Sequence, residues 1–88
     1  MLFMLEFSSR AKKFLKKLDK QIAERIITKI ERLAKDPIPS DVKFIGRDKG
    51  DMIFRYRIGD YRALYKVKNK EKTVLISRID KRPRVYKR

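Results

Sequence analysis

The sequence predicts an α+β fold, with an N-terminal strand, a helical hairpin and then an antiparallel meander sheet whose one face the helices cover. Three observations carry this. Apolar residues recur at helical spacing between positions 11 and 34 and alternate with polar ones in the runs 52–58 and 61–67. Two alternating runs, 52–58 and 61–67, are separated only by Gly59-Asp60, the kind of two-residue loop that joins hairpin strands. Helices come first and strands follow, which segregates the two kinds of element. At 88 residues the chain is expected to form one domain, 1–88. A domain of this size hides only about 60–65% of its unfolded surface, so its core is small.

The elements follow in order. Residues 1–7 are apolar apart from Glu6 and read as the first strand. They are too short and carry no basic leader, so neither a secretion signal nor a membrane span is expected, and the protein is expected in the cytoplasm. Ser8 or Ser9 is a natural helix N-cap. Ala11, Phe14, Leu15 and Leu18 then fall on one helix face. Asp19 can cap a second helix, whose apolar stripe is Ile22, Ile26, Ile27, Ile30, Leu33 and Ala34. Asp36-Pro37 ends it, because the residue before proline avoids helical dihedrals. With almost no loop between them, the two helices should form a hairpin. Residues 37–40 connect, 42–45 form a short strand and 46–50 a polar turn. The 52–58/61–67 hairpin, a turn at 68–72, a last strand at 73–79 and a basic tail at 80–88 complete the chain.

Composition narrows the function. The chain carries 26 Lys and Arg against 11 Asp and Glu, a net charge of +15, and has no Cys, His or Trp. A disulfide framework, a Cys/His zinc site and histidine acid–base chemistry are therefore excluded. The apolar share of 42% is that of a folded chain. Asn and Gln occur once each, a profile of the heat-adapted kind. However, heat adaptation adds charges of both signs, whereas here one sign dominates. Such a surplus repels itself and is most simply kept for a polyanion, with nucleic acid foremost. The excess sits in two regions. Residues 9–35 hold ten basic side chains against three acidic ones, and residues 68–88 hold nine against two.

The hairpin is the most informative segment. A Gly59-Asp60 loop pairs Ile58 with Tyr61, Arg57 with Arg62, Tyr56 with Ala63 and Arg55 with Leu64. Strand alternation then sends Met52, Phe54, Tyr56, Ile58, Tyr61, Ala63, Tyr65 and Val67 toward the helices. Ile53, Arg55, Arg57, Arg62, Leu64 and Lys66 take the opposite face. Arg57 directly across from Arg62 is a destabilising like-charge pair, and Arg55 adds a third guanidinium. Arginine is suited to bidentate phosphate contact, so this face is a candidate anion-binding surface. The tail adds Lys81, Arg82, Arg84, Lys87 and Arg88 around Tyr86, a mix that suits phosphate contact with base stacking.

The run from Phe54 to Tyr65 resembles the R-x-R-x-G-D/N-Y-R-x-x-Y hallmark of the RelE/ParE toxin superfamily. The run from Lys81 to Tyr86 resembles that family's H/K-R-x-x-x-Y ending. The likeness spans essentially the whole chain. It implies the RelE-like fold and the toxin of a type II toxin–antitoxin pair. In the RelE branch it implies a ribosome-dependent endoribonuclease that cuts mRNA in the ribosomal A site and is neutralised by an acidic antitoxin folding on it. Carried over residue by residue, it implies Arg57, Arg62, Arg82 and Tyr86 as catalytic, with Tyr86 as base. Arg55, Lys66, Lys81, Arg84 and Lys87 would contact RNA. Lys81 stands where many relatives have His. Neither metal nor other cofactor is implied, and the expected partners are antitoxin, mRNA and ribosome. The alternatives are a ParE-like inhibitor of DNA gyrase without nuclease activity and a plain nucleic-acid-binding module.

Overall fold

The computed structural model describes residues 2–81. The elements are β1 (Met4–Phe7), α1 (Ser9–Lys16), α2 (Lys20–Glu31), a 3-10 turn (Arg32–Ala34), β2 (Val42–Asp48), β3 (Asp51–Ile58), β4 (Tyr61–Lys68) and β5 (Thr73–Lys81). Ser8 caps α1 by accepting a hydrogen bond from the Ala11 amide at 3.0 Å. Asp19 occupies the N-cap of α2 without a side-chain hydrogen bond. Among the described residues no helix is long and apolar enough to cross a membrane.

The five strands form one sheet in the order β1-β5-β4-β3-β2. Strands β2 to β5 are the expected antiparallel meander. β1 joins the far edge, parallel to β5, with Met4 beside Thr73 and Phe7 beside Ile76. The helices carry the chain from β1 at one edge of the sheet to β2 at the other. β3 and β4 pair in the register expected from their turn: Ile58 with Tyr61, Arg57 with Arg62 and Arg55 with Leu64. Gly59 has φ +59°, as a II′ turn requires at its first central position.

Four boundaries differ from the sequence reading. β1 begins at Met4 and does not take in all of the first seven residues, and α2 gives way at Arg32 to a 3-10 turn before Pro37 is reached. The other two are in the sheet. The short strand at 42–45 and the turn at 46–50 are in fact one strand, β2, ending in a tight Lys49-Gly50 turn with both φ angles positive. A bulge makes this possible. Phe44 pairs with Phe54 and Gly46 with Ile53, so Ile45 is the extra residue and pairing resumes beyond it. At the other end, Asp80 and Lys81 do not belong to a tail. They pair with Arg62 and Tyr61 as the last residues of β5.

The core lies between the helices and one sheet face. Ala11, Ile26, Ile30 and Leu33 meet Phe54, Tyr56, Ile58, Ala63, Tyr65, Val67, Val74, Ile76 and Ile79. Met52 and Tyr61 pack against its margin. Tyr65 is fully buried, and its hydroxyl donates to the Pro37 carbonyl at 2.7 Å, tying the connector to the sheet. Burial pushes the Tyr65 phenol well above its ordinary value of 10.0. Stability from this group is therefore complete below about pH 10 and is lost as the pH rises beyond it. Tyr65→Phe, which leaves the Pro37 carbonyl without its donor, is expected to destabilise by about 1–3 kcal/mol at neutral pH. In urea melts, the fall in stability above pH 10 should be shallower in this variant than in the parent chain.

Candidate functional site

The sheet face turned away from the helices carries the charge. Alternation along β3 and β4 puts Arg55, Arg57 and Arg62 on it, with Arg57 and Arg62 as direct cross-strand neighbours. Arg57 is exposed, while Arg55 and Arg62 are half-buried. β2 adds Lys43, the register partner of Arg55. Among the described residues none of these four cations has an acidic side chain within ion-pair distance.

A groove of about 240 Å³ runs across this face, lined by Ile45, Arg55, Arg62, Leu64, Arg78 and Asp80. Two irregularities in the sheet shape it. The bulge in β2 brings Ile45 to the groove wall. The second is in β5, where Leu64 pairs with Arg78 and Tyr65 with Ile76, leaving Ser77 without a partner. Before Ser77 the buried apolar residues are Val74 and Ile76, and after it Ile79. The extra residue reverses the alternation, so Arg78 and Asp80 come out on the cationic face while Ile79 stays in the core. Ser77 is secured on both sides. Its hydroxyl donates to the Leu64 carbonyl at 3.0 Å, and its carbonyl accepts from the Ser8 hydroxyl at 2.8 Å.

Lys66 shares this face, but its ammonium is engaged with Asp48 of β2. That hydrogen bond and charge hold the Asp48 carboxyl below its usual range, so the pair persists at neutral pH and opens only in acid.

Comparison with known proteins places this geometry. Residues 5–86 match the family described as the ParE toxin of type II toxin–antitoxin system, parDE. The candidate toxin RelE1 of Methanocaldococcus jannaschii is 35% identical over 88 residues, covering 99% of this chain and 98% of its own. The chain belongs to the RelE/ParE superfamily of type II toxin–antitoxin toxins. Among solved members, RelE of the archaeal RelE–RelB complex from Pyrococcus horikoshii superimposes with a TM-score of 0.85 at 27% identity, covering 97% of this chain and 100% of that one. The Mycobacterium tuberculosis toxin–antitoxin complex RelBE2 gives 0.78 at 28% identity, covering 93% of each chain.

In this RelE/ParE chain, the residues expected at the site separate into four groups. Arg55, Arg57 and Arg62 stand together as expected. Lys66 is near them but ion-paired. Lys81, expected to contact RNA, is on the other face, since its register partner is Tyr61 on the helix side. That outcome follows from the Ser77 bulge, which sets the parity of Arg78 to Lys81. Arg82, Arg84, Tyr86 and Lys87 lie outside the described residues. Arg78, Asp80 and Ile45 are groove residues that the sequence reading missed. For the first two a signal exists: apolar Val74 and Ile76 are out of phase with Ile79, so alternation must slip between them.

Crowding like charges in this way costs stability. Replacing Arg57 by Thr should raise stability by about 0.2–1 kcal/mol at low ionic strength. The gain should shrink in 0.5 M salt, where such repulsion is screened. Paired urea titrations at the two salt concentrations check both statements.

Proposed function

We propose that this toxin is a RelE-type mRNA interferase that cleaves mRNA in the ribosomal A site without a metal ion. The observation that carries the reading is the Arg55–Arg57–Arg62 cluster beside a groove on the open sheet face. A phosphodiester offers the charge that relieves this cluster and the geometry its guanidinium groups match. In the proposed chemistry the neighbouring 2′-hydroxyl attacks the phosphorus, the bond from phosphorus to the 5′-oxygen breaks to leave a 2′,3′-cyclic phosphate, and the departing 5′-oxygen takes a proton from water. Arg57 and Arg62 stabilise the phosphate oxygens, Arg82 acts near the leaving oxygen, and Tyr86 accepts the 2′-hydroxyl proton. Dense positive charge favours a phenolate, which is what allows a tyrosine to serve as base. Arg55 and the tail cations Arg84 and Lys87 would hold the RNA strand. Positioning by the ribosome would supply much of the acceleration.

The partner proposed to silence the toxin is an acidic antitoxin that orders itself on it. The Pyrococcus and Mycobacterium relatives were solved as toxin–antitoxin complexes, and a net charge of +15 suits an acidic occupant. The match to the ParE toxin family favours one second reading, inhibition of DNA gyrase by binding alone.

Purified toxin incubated with programmed ribosomes should cut mRNA in the presence of EDTA and leave free mRNA largely intact. Tyr86→Phe and Arg62→Gln should each slow cutting by about 100-fold or more. Uncut mRNA together with loss of gyrase supercoiling would transfer the function to the second reading, and full cutting by Tyr86→Phe would remove that residue as base.

A further inference from the structure

Arg78 and Asp80 reach the groove only because β5 slips at Ser77, and they arrive as a pair. Arg78 Nε lies 2.7 Å from Asp80 Oδ2 in an ion pair, with the two side chains 51% and 36% exposed. An Nε contact leaves the four Nη hydrogens of the guanidinium available. Those hydrogens form the fork that binds a phosphate in bidentate fashion. Asp80 is also the register partner of Arg62, and Leu64, the partner of Arg78, forms part of the groove wall between Arg62 and Arg78. One carboxylate thus stands in a groove otherwise lined by three arginines and two aliphatic side chains. If the face served only to accumulate positive charge, Asp80 would oppose that purpose.

We propose that Arg78 is a further phosphate-contacting residue of this site, and that Asp80 is its positioning residue, holding the guanidinium by Nε so that its fork faces the RNA backbone. The proposal rests on the mRNA-cleaving reading for its substrate, but concerns residues that reading does not use. Asp80 acts through Arg78 and touches no reacting atom. Its effect is therefore opposite to that of a bulk charge. Removing a negative charge from a cationic groove should tighten RNA binding if electrostatics alone acts. If Asp80 instead orients Arg78, its removal should slow cutting without tightening binding.

The test uses the toxin and five variants: Arg78→Gln, Arg78→Lys, Asp80→Asn, the Arg78→Gln/Asp80→Asn double variant and, as a control for net charge, Lys70→Gln in the exposed β4–β5 turn. Thermal melts confirm folding. Binding of a short single-stranded RNA is measured across a salt series, and kcat and KM for ribosomal mRNA cutting are measured separately. Arg78→Gln should lower the slope of log K against log salt by about 0.7, the value of one phosphate contact on a single strand. It should also slow cutting at least tenfold. Arg78→Lys keeps the charge but not the fork, so it should retain the slope and still cut slowly. Asp80→Asn should lower kcat with no gain in RNA affinity, and its effect should vanish in the Arg78→Gln background. If Arg78→Gln behaves like Lys70→Gln in both assays, the proposal is overturned. Asp80→Asn that binds RNA more tightly and cuts at the parent rate removes the positioning role. Should the parent toxin cut nothing, the cleavage reading fails, and the salt slopes of Arg78→Gln and Lys70→Gln still decide the Arg78 contact.

Discussion

The pleat of the β3–β4 hairpin is the constraint on which the rest of the molecule depends. A two-residue turn with Gly59 in the left-handed region sets the register, and register in turn assigns every side chain of both strands to one of two faces. The same sixteen residues therefore build about half of the core and carry most of the cations described on the open sheet face. Tyr56 and Tyr65 can pack beneath the helices only because Arg55, Arg57, Arg62 and Lys66 point away from them. A shift of one residue would bury guanidinium groups and expose tyrosines, at a loss no small domain could bear.

The remaining elements protect and complete that arrangement. The Tyr65 hydroxyl holds the connector at Pro37, and the helices close over Ala63, Val74 and Ile76. Phe3 donates its amide to the Ala34 carbonyl at the end of the helical segment, which brings the chain's start alongside β5. On the open face the same economy is absent. Lys66 has Asp48 and Arg78 has Asp80, but the three hairpin arginines have no acidic partner among the described residues. The stability forgone there is small per pair and is what an anionic ligand would restore.

Membership of the RelE/ParE superfamily frames the site without deciding its chemistry. The family match is to ParE toxins, while the relatives compared carry RelE names. A shared fold does not by itself assign a reaction. The features that bear on the reaction are local: the spacing of guanidinium groups, an apolar stretch of Ile45 and Leu64 between them, and one carboxylate in their midst.

Wherever local rules act alone, the sequence determined the outcome. Helical spacing, the Ser8 cap and the Gly59-Asp60 turn were each legible, and so were the hairpin register and the Arg55, Arg57 and Arg62 cluster it produces. Three things were decided only by tertiary structure. β1 pairs in parallel with β5 because the helical crossover carries the chain across the sheet, and no local pattern encodes which edge a strand joins. β2 runs on to Asp48 because a bulge at Ile45 absorbs one residue, so a segment polar enough to read as a turn is paired. The bulge at Ser77 exchanged faces in the last strand, bringing Arg78 and Asp80 into the groove and sending Lys81 to the other side. A bulge is stabilised by contacts between distant segments, here Ser77 with Leu64 and Ser8, and those contacts exist only once the sheet has formed.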